Sequence, residues 1–186
     1  MYHIKNDKRA YTSAKLIGNA VLQLLKEKEF NNISISEIQR VSSVGRSTFY
    51  RLFDNVTDVL QYLCDQINDE VLQQYKTLPE KDTQKFFIYF IDRWTKNEAL
   101  LAAIFNYNHS DILYKSFRNN SSEVVGYVFP ALPTDDKKVD YLTSIATTAL
   151  AGILSAWLNH GKMDDVSEIL ELVKSSFYYL NQAFNN

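Results

Sequence analysis

From residue 13 onward, apolar residues recur three and four apart through most of the chain, and very little interrupts them. Among 186 residues there are five Gly and three Pro. Three- and four-residue spacing lines one face of an α-helix. The scarcity of the two residues that punctuate turns leaves little room for a strand-and-turn architecture. The pattern therefore predicts an all-α chain of about nine helices, over 13–28, 36–42, 46–53, 56–76, 83–95, 97–105, 111–128, 136–159 and 165–184. Leu78-Pro79-Glu80 reads as a break. It divides a head and linking helix, 1–76, from a larger helical body, 77–186. Pro130 and Pro133 separate two of the body's helices, and His160-Gly161 ends another, the glycine serving as a left-handed cap.

Local chemistry fixes where some helices start. Thr12 or Ser13 caps the first, Ser36 caps the second with Glu37 in its first turn, and Asn55 stands ahead of the fourth. Hydrophobic residues make up 46% of the chain, enough for a sizeable core. Cys64 is the single cysteine, which excludes an intrachain disulfide and fits a reducing, cytoplasmic setting. The polar start MYHIKNDKRAY lacks the apolar core of a signal peptide, and no run approaches the length of a membrane span.

The net charge of −2 conceals an asymmetry. Through Phe53 there are nine Lys and Arg against four Asp and Glu, a net +5 that leaves −7 for the remainder. A basic head on an acidic body suits a polyanionic partner for the head alone.

The stretch VGRSTFYRLF, residues 44–53, lies in that head. Three short helices with a tight turn, Ser43-Val44-Gly45, between the second and third form a helix-turn-helix over about 33–52. Phe49 and Phe53, four apart, hold the third helix against the first. The opposite face then carries Arg46, Ser47, Tyr50 and Arg51, with Thr48 beside them. Arg46 suits a guanine edge or a phosphate, and the hydroxyls of Ser47, Thr48 and Tyr50 suit phosphate oxygens. The helix starts at Ser36 and at Gly45-Arg46 offer backbone N–H groups to the same phosphates.

The segment ISISEIQRVSSVGRSTFYRLFDNVTDVL resembles the DNA-binding domain of the TetR family of transcriptional regulators, and AVLQLLKEKEFNNISI resembles that family's first helix. The resemblance covers about 7–69, and WLNHGKMDD is similar to the end of the penultimate helix in some members. Three positions depart from the family pattern: Gln39 where a small apolar residue is common, Ser43 where the turn commonly has Gly, and Gly45 where a side-chain cap is common. Ser43 is then expected in a left-handed conformation, at a cost of roughly 1 kcal/mol. The resemblance implies a ligand-responsive repressor that binds a palindromic double-stranded DNA operator as a homodimer. It also implies a C-terminal domain that senses a small molecule and dimerises. Symmetry argues for the dimer separately, since one recognition helix reads too few base pairs to be specific.

In the last helix Val166, Leu170, Val173, Phe177, Leu180 and Phe184 form a heptad-like stripe. The small-residue segment before it, SIATTALAGILSAWL, allows close helix approach. Together with Ile153 and Trp157 these residues are the expected dimer interface, which packing on the body's own core rivals as an explanation. The middle helices are aromatic: Phe86, Phe87, Tyr89, Phe90, Trp94, Phe105, Tyr107, Tyr114, Phe117, Tyr127 and Phe129. A pocket among them, with Trp94, Tyr107, His109 and Tyr114 as candidates, would take a small, largely apolar or aromatic effector.

No catalytic constellation, cofactor motif or metal-ligand spacing accompanies His3, His109 and His160. Cys64 lies on an apolar stripe, as a buried structural thiol does. The competing reading is a helical protein-interaction regulator or coactivator whose helix-turn-helix has lost or weakened operator binding.

Overall fold

The computed structural model describes residues 2–4, 7–79, 82–119, 121–128 and 135–185. Among them are ten α-helices and one short 3-10 turn, Phe30–Asn32, with no strand beyond a single bridge. The helices are α1 Lys8–Leu25, α2 Ile35–Ser42, α3 Arg46–Leu52, α4 Val56–Lys76, α5 Thr83–Thr95, α6 Glu98–Asn106, α7 Ser110–Asn119, α8 Ser121–Val128, α9 Asp136–Asn159 and α10 Val166–Asn185. Pro130, Pro133 and Phe129 lie outside the described residues, as does the side chain of Tyr127.

The expected helix over 111–128 is described as two spans, α7 and α8, on either side of residue 120, which lies outside the described residues. The Ser121 hydroxyl donates to the Arg118 carbonyl over 2.8 Å. The chain divides into two compact units, Met1–Ile67 with Ala99–Ser116, and Asn68–Glu98 with Phe117–Asn186. Residues 99–116 join the first unit, where Tyr107 and His109 set their rings 5.9 and 5.5 Å from Phe30.

In the first unit, α1 begins five residues earlier than its apolar pattern suggested. Asp7 is the N-cap and accepts from the Arg9 N–H, while the Thr12 hydroxyl bonds back to the Lys8 carbonyl instead of capping. Ala10, Ala14, Ile17, Val21 and Leu24 make its buried face. Gly18 allows α1 and α4 to approach closely, since a Cβ there would lie 3.0 Å from Leu63 Cδ2. The cap of α2 is Ser34, not Ser36. Ser34 accepts from the Glu37 N–H while the Glu37 carboxylate accepts from the Ser34 N–H, a reciprocal box that closes the helix start. Asn55 does cap α4, accepting from the Asp58 N–H over 2.9 Å.

The second unit has an aromatic spine. Tyr75 meets Phe86, Phe90 meets Phe117, and Trp94 meets Phe117, with ring centroids 5.4, 5.4 and 5.8 Å apart and edge-on geometry. The fully buried Trp94 satisfies its indole N–H on Asn68 Oδ1 at 3.1 Å. Ion pairs Lys76–Glu123, Arg93–Glu70, Arg118–Asp140 and Lys162–Glu98 rim this core. At the α9–α10 turn Gly161 takes φ +81°, as the left-handed cap requires. By length and composition, Lys137–Asn159 of α9 could cross a membrane, against the expectation that no run comes close. Only 22% of that stretch is buried, and its apolar side continues onto α10 as a two-helix face.

Lys28 and the Ser34 cap hold the Glu37 carboxyl down to a pKa of about 2. A depressed carboxylate stabilises the fold above its ordinary value of 4.5 and ceases to do so as pH falls through about 2. Glu37→Gln keeps a capping oxygen but loses the charge facing Lys28. Its melting temperature is expected to fall below wild type at pH 7, with the gap closing between pH 4.5 and 2 in circular-dichroism melts.

Candidate nucleic-acid interface

The turn before α3 is built without glycine at its left-handed position. Ser43 takes φ 58° and ψ 18°, as expected, and the buried Ser42 hydroxyl accepts from the Val44 N–H over 3.1 Å. Val44 is itself buried, which pins the turn to the core. Gly45 then supplies the extended N-cap backbone, with no side chain to cap.

Phe49, Leu52 and Phe53 are at most 2% exposed, so α3 is anchored by one side. On the other side Arg46, Ser47, Tyr50 and Arg51 stand exposed, as does Gly45, and Thr48 is half-buried. Arg46 and Tyr50, one turn apart, lie together. The guanidinium carbon is 5.6 Å from the ring centroid, and Nη2 reaches the Tyr50 hydroxyl at 3.5 Å. The ring thus steers the arginine by a cation–π contact, with only a long hydrogen bond added. Sequence spacing placed both residues on one face but did not show that one orients the other.

The α2 start is less open to an anion than expected. Ser36 is exposed in the first turn, but the terminus already holds the Glu37 carboxylate. Sequence reasoning also left out Tyr2 and His3. Tyr2 forms an antiparallel bridge with Phe53, His3 donates its backbone N–H to the Leu52 carbonyl over 2.7 Å, and the Tyr2 hydroxyl reaches Asp65 over 2.6 Å. This short arm braces the end of α3, and no periodicity in so brief a segment could have announced it.

The second unit has two further features. A cavity of about 70 Å³ is lined by Asn68, Val71, Phe86, Phe90, Phe117 and Thr143, among others. None of the four expected pocket residues lines it. Trp94 is packed behind it against Phe90 and Phe117, Tyr107 and His109 belong to the first unit beside Phe30, and Tyr114 is exposed. The Trp94 N–H is taken by Asn68, and the Tyr107 and His109 rings are engaged by Phe30.

The other feature is an open apolar groove of about 870 Å³ along α9 and α10. Ile153, Trp157, Val173, Phe177 and Leu180 line it, with Ala149, Gly152 and Ala156. Of the expected stripe, Leu170 is buried within the unit and Val166 half-buried, while Phe177, Leu180 and Phe184 are 49, 53 and 87% exposed. Exposure rises toward the end of α10, so the stripe is partly core and partly uncovered surface. The Trp157 N–H is satisfied by the Asp164 carbonyl at 3.1 Å. Among the described residues no group of three or more His, Cys, Asp or Glu could hold a metal, and burial pushes the Cys64 thiol well up.

A family description, "Transcriptional regulator C-terminal region" (TetR_C_8), matches residues 81–178. In sequence the chain is 29% identical over 58 residues to the HTH-type dhaKLM operon transcriptional activator DhaS of Lactococcus lactis, 31% of each chain. It is also 29% identical over 113 residues to human UDP-glucuronosyltransferase 2B10, covering 57% of this chain and 21% of that protein. The chain thus spans a third or less of either relative's length in these matches. In fold it is similar to Lin0861 from Listeria innocua, with TM-score 0.74, 15% identity and 96% of both chains covered. It is similar also to a TetR transcriptional regulator from Streptococcus agalactiae, with TM-score 0.58, 21% identity and 95% and 96% covered. The dihydroxyacetone kinase operon activator DhaS gives TM-score 0.62 at 18% identity, with 88% and 95% covered.

The Arg46–Tyr50 geometry sets apart three substitutions in titrations of a bound DNA site and its single-base variants. Arg46→Ala is expected to lose about 1–3 kcal/mol of discrimination at one base pair. Tyr50→Phe keeps the ring and should weaken all sequences alike, by about 1 kcal/mol. Tyr50→Ala removes the ring that steers Arg46 and should lose discrimination as Arg46→Ala does. Unchanged discrimination in Tyr50→Ala would show that the ring does not orient the arginine.

Proposed function

The chain belongs to the TetR family of transcriptional regulators, which are not enzymes, and on that premise we propose that it is a ligand-responsive repressor binding a palindromic operator as a homodimer. One observation carries the DNA-binding part. A seven-residue helix, anchored by Phe49 and Leu52, presents a cationic side chain and hydroxyls on its free side. Arg46 is the group for base edges, while Ser36, Ser47, Thr48, Tyr50 and Arg51 are groups for phosphate, with Gly45 letting the backbone approach.

The α9–α10 groove supports the dimer. Five large apolar side chains that line it, Tyr141, Ile145, Leu172, Phe177 and Leu180, are more than a third exposed. A second copy would cover them through an isologous, two-fold contact, with Gly152 and Ala156 permitting close helix approach. The cavity supports an effector. Helix α4 contributes Asn68 and Val71 to its wall, and the same helix buries Val59 and Leu60 in the first unit. An effector that displaces the later turns of α4 therefore acts on the head through one continuous helix, to the extent of its differential affinity for the two positions.

DhaS, similar in both sequence and fold, carries the name of an activator, which favours a second reading with the same operator contacts and the opposite sign of control. Deleting the gene and measuring transcription from the protected promoter separates the two, since a repressor's promoter rises and an activator's falls. Operator binding itself is expected to weaken linearly in log Kd against log salt, one step for each phosphate neutralised. Tight binding to another protein, with no salt-dependent DNA binding, would favour the interaction-module reading instead.

Phe177 is 49% exposed in the groove. Phe177→Asp would bury two like charges near one two-fold axis, at several kcal/mol. Sedimentation is expected to show a folded monomer whose operator affinity collapses while weak nonspecific binding survives. A stable dimer with full operator affinity would place the interface elsewhere.

A further inference from the structure

The lining of the cavity in the second unit specifies the chemistry of what can enter it. Its side chains come from the later part of α4 and from α5, α7, α8 and α9, and none is Asp, Glu, Lys, Arg or His. Phe86, Phe90 and Phe117 are buried and bring ring surface to it. A charged molecule would lose its hydration there with no counter-ion to replace it.

Three hydroxyls break the apolar wall, of which Ser121 donates to the Arg118 carbonyl over 2.8 Å. Thr147 is 4% exposed and donates to the Ser144 carbonyl over 3.2 Å. Thr143 is 5% exposed, and its hydroxyl makes no hydrogen bond among the described residues. A lining hydroxyl without such a bond is free to meet an entering group, whereas Ser121 and Thr147 donate to backbone carbonyls and Asn68 accepts from Trp94. Size is the third constraint. About 70 Å³ exceeds the share of one water, about 30 Å³, and falls below the roughly 150 Å³ that admits benzene.

We propose that this cavity takes a compact, uncharged molecule of about three or four non-hydrogen atoms, with an apolar body and one oxygen bonded to the Thr143 hydroxyl. This class rests on the effector-site reading above and narrows it. Polyols are excluded because one free hydroxyl cannot replace the hydration of three, and carboxylates and ammonium ions are excluded because the wall holds no opposite charge. A ligand so small binds no tighter than the micromolar-to-millimolar range.

The test uses the full chain and follows the methyl resonances of Val71, Thr143 and Thr147 by NMR. It titrates 1-propanol, acetone, 1-chloropropane, glycerol, acetate and propylammonium. Saturable shifts are expected for 1-propanol and acetone, weaker ones for 1-chloropropane, and none for glycerol or the two ions. Thr143→Val keeps the side-chain shape and should lower 1-propanol affinity about tenfold while leaving 1-chloropropane unchanged. Ala146→Val, which fills the cavity from its wall, should abolish both.

Saturable binding of acetate or propylammonium, equal affinity of 1-propanol for wild type and Thr143→Val, or no saturable binding at all would overturn the proposal. Footprinting of wild type on its upstream DNA, run alongside, separates this from failure of the regulator reading. A protected site with no probe binding removes only the ligand class, whereas no protected site removes the regulator reading whatever the cavity binds.

Discussion

The burial of Phe53 at the end of α3 is the contact on which the head depends. Its ring lies 5.7 Å from Phe49 and 5.7 Å from Tyr62, and Tyr2 bridges to its backbone. One residue therefore ties the recognition helix to α4 and to the N-terminal arm. Aromatic pairs of this kind contribute about 0.5–1.5 kcal/mol each beyond their buried area. A seven-residue helix is too short to be stable alone, so tertiary anchoring, not propensity, keeps α3 helical. The cluster has one cost. The Tyr62 hydroxyl is buried with no partner among the described residues, and desolvation pushes its pKa up to about 12.

The second unit solves its packing differently. Tyr75, Phe86, Phe90, Trp94 and Phe117 meet edge to face, an arrangement whose large rigid rings leave a small void where they converge with α8 and α9. Along α9 and α10 the apolar supply exceeds what the unit can bury. Leu154, Trp157, Ile169 and Leu170 are covered, while Ile145, Leu172, Phe177 and Leu180 are not. An uncovered apolar surface of this size supports the proposed two-fold contact.

The helical architecture was legible because helix formation leaves its trace within a few residues. The spacing of Ile17, Val21 and Leu24 marked the inward face of α1, the cap at Asn55 followed from local chemistry, and the left-handed Ser43 followed from the family resemblance. Misplaced ends share one cause. At α1 and α2 several short polar residues could each have capped, and the choice of Asp7 and Ser34 depended on which side-chain oxygen lay within reach of a free backbone N–H.

By itself, then, the sequence determined the all-helical class, the helix-turn-helix and the polar face of α3, since each is encoded by residues within one or two turns of each other. Only the tertiary structure decided that Arg46 leans on the Tyr50 ring, that Tyr2 reaches Asp65 and that residues 99–116 join the head through Phe30. Only there, too, did the cavity acquire its lining and the C-terminal stripe divide between core and surface. Apart from the Arg46–Tyr50 pair, these bring together residues far apart in the chain. Apolar periodicity says that a side chain is buried, but not against what, because hydrophobic burial has no preferred direction.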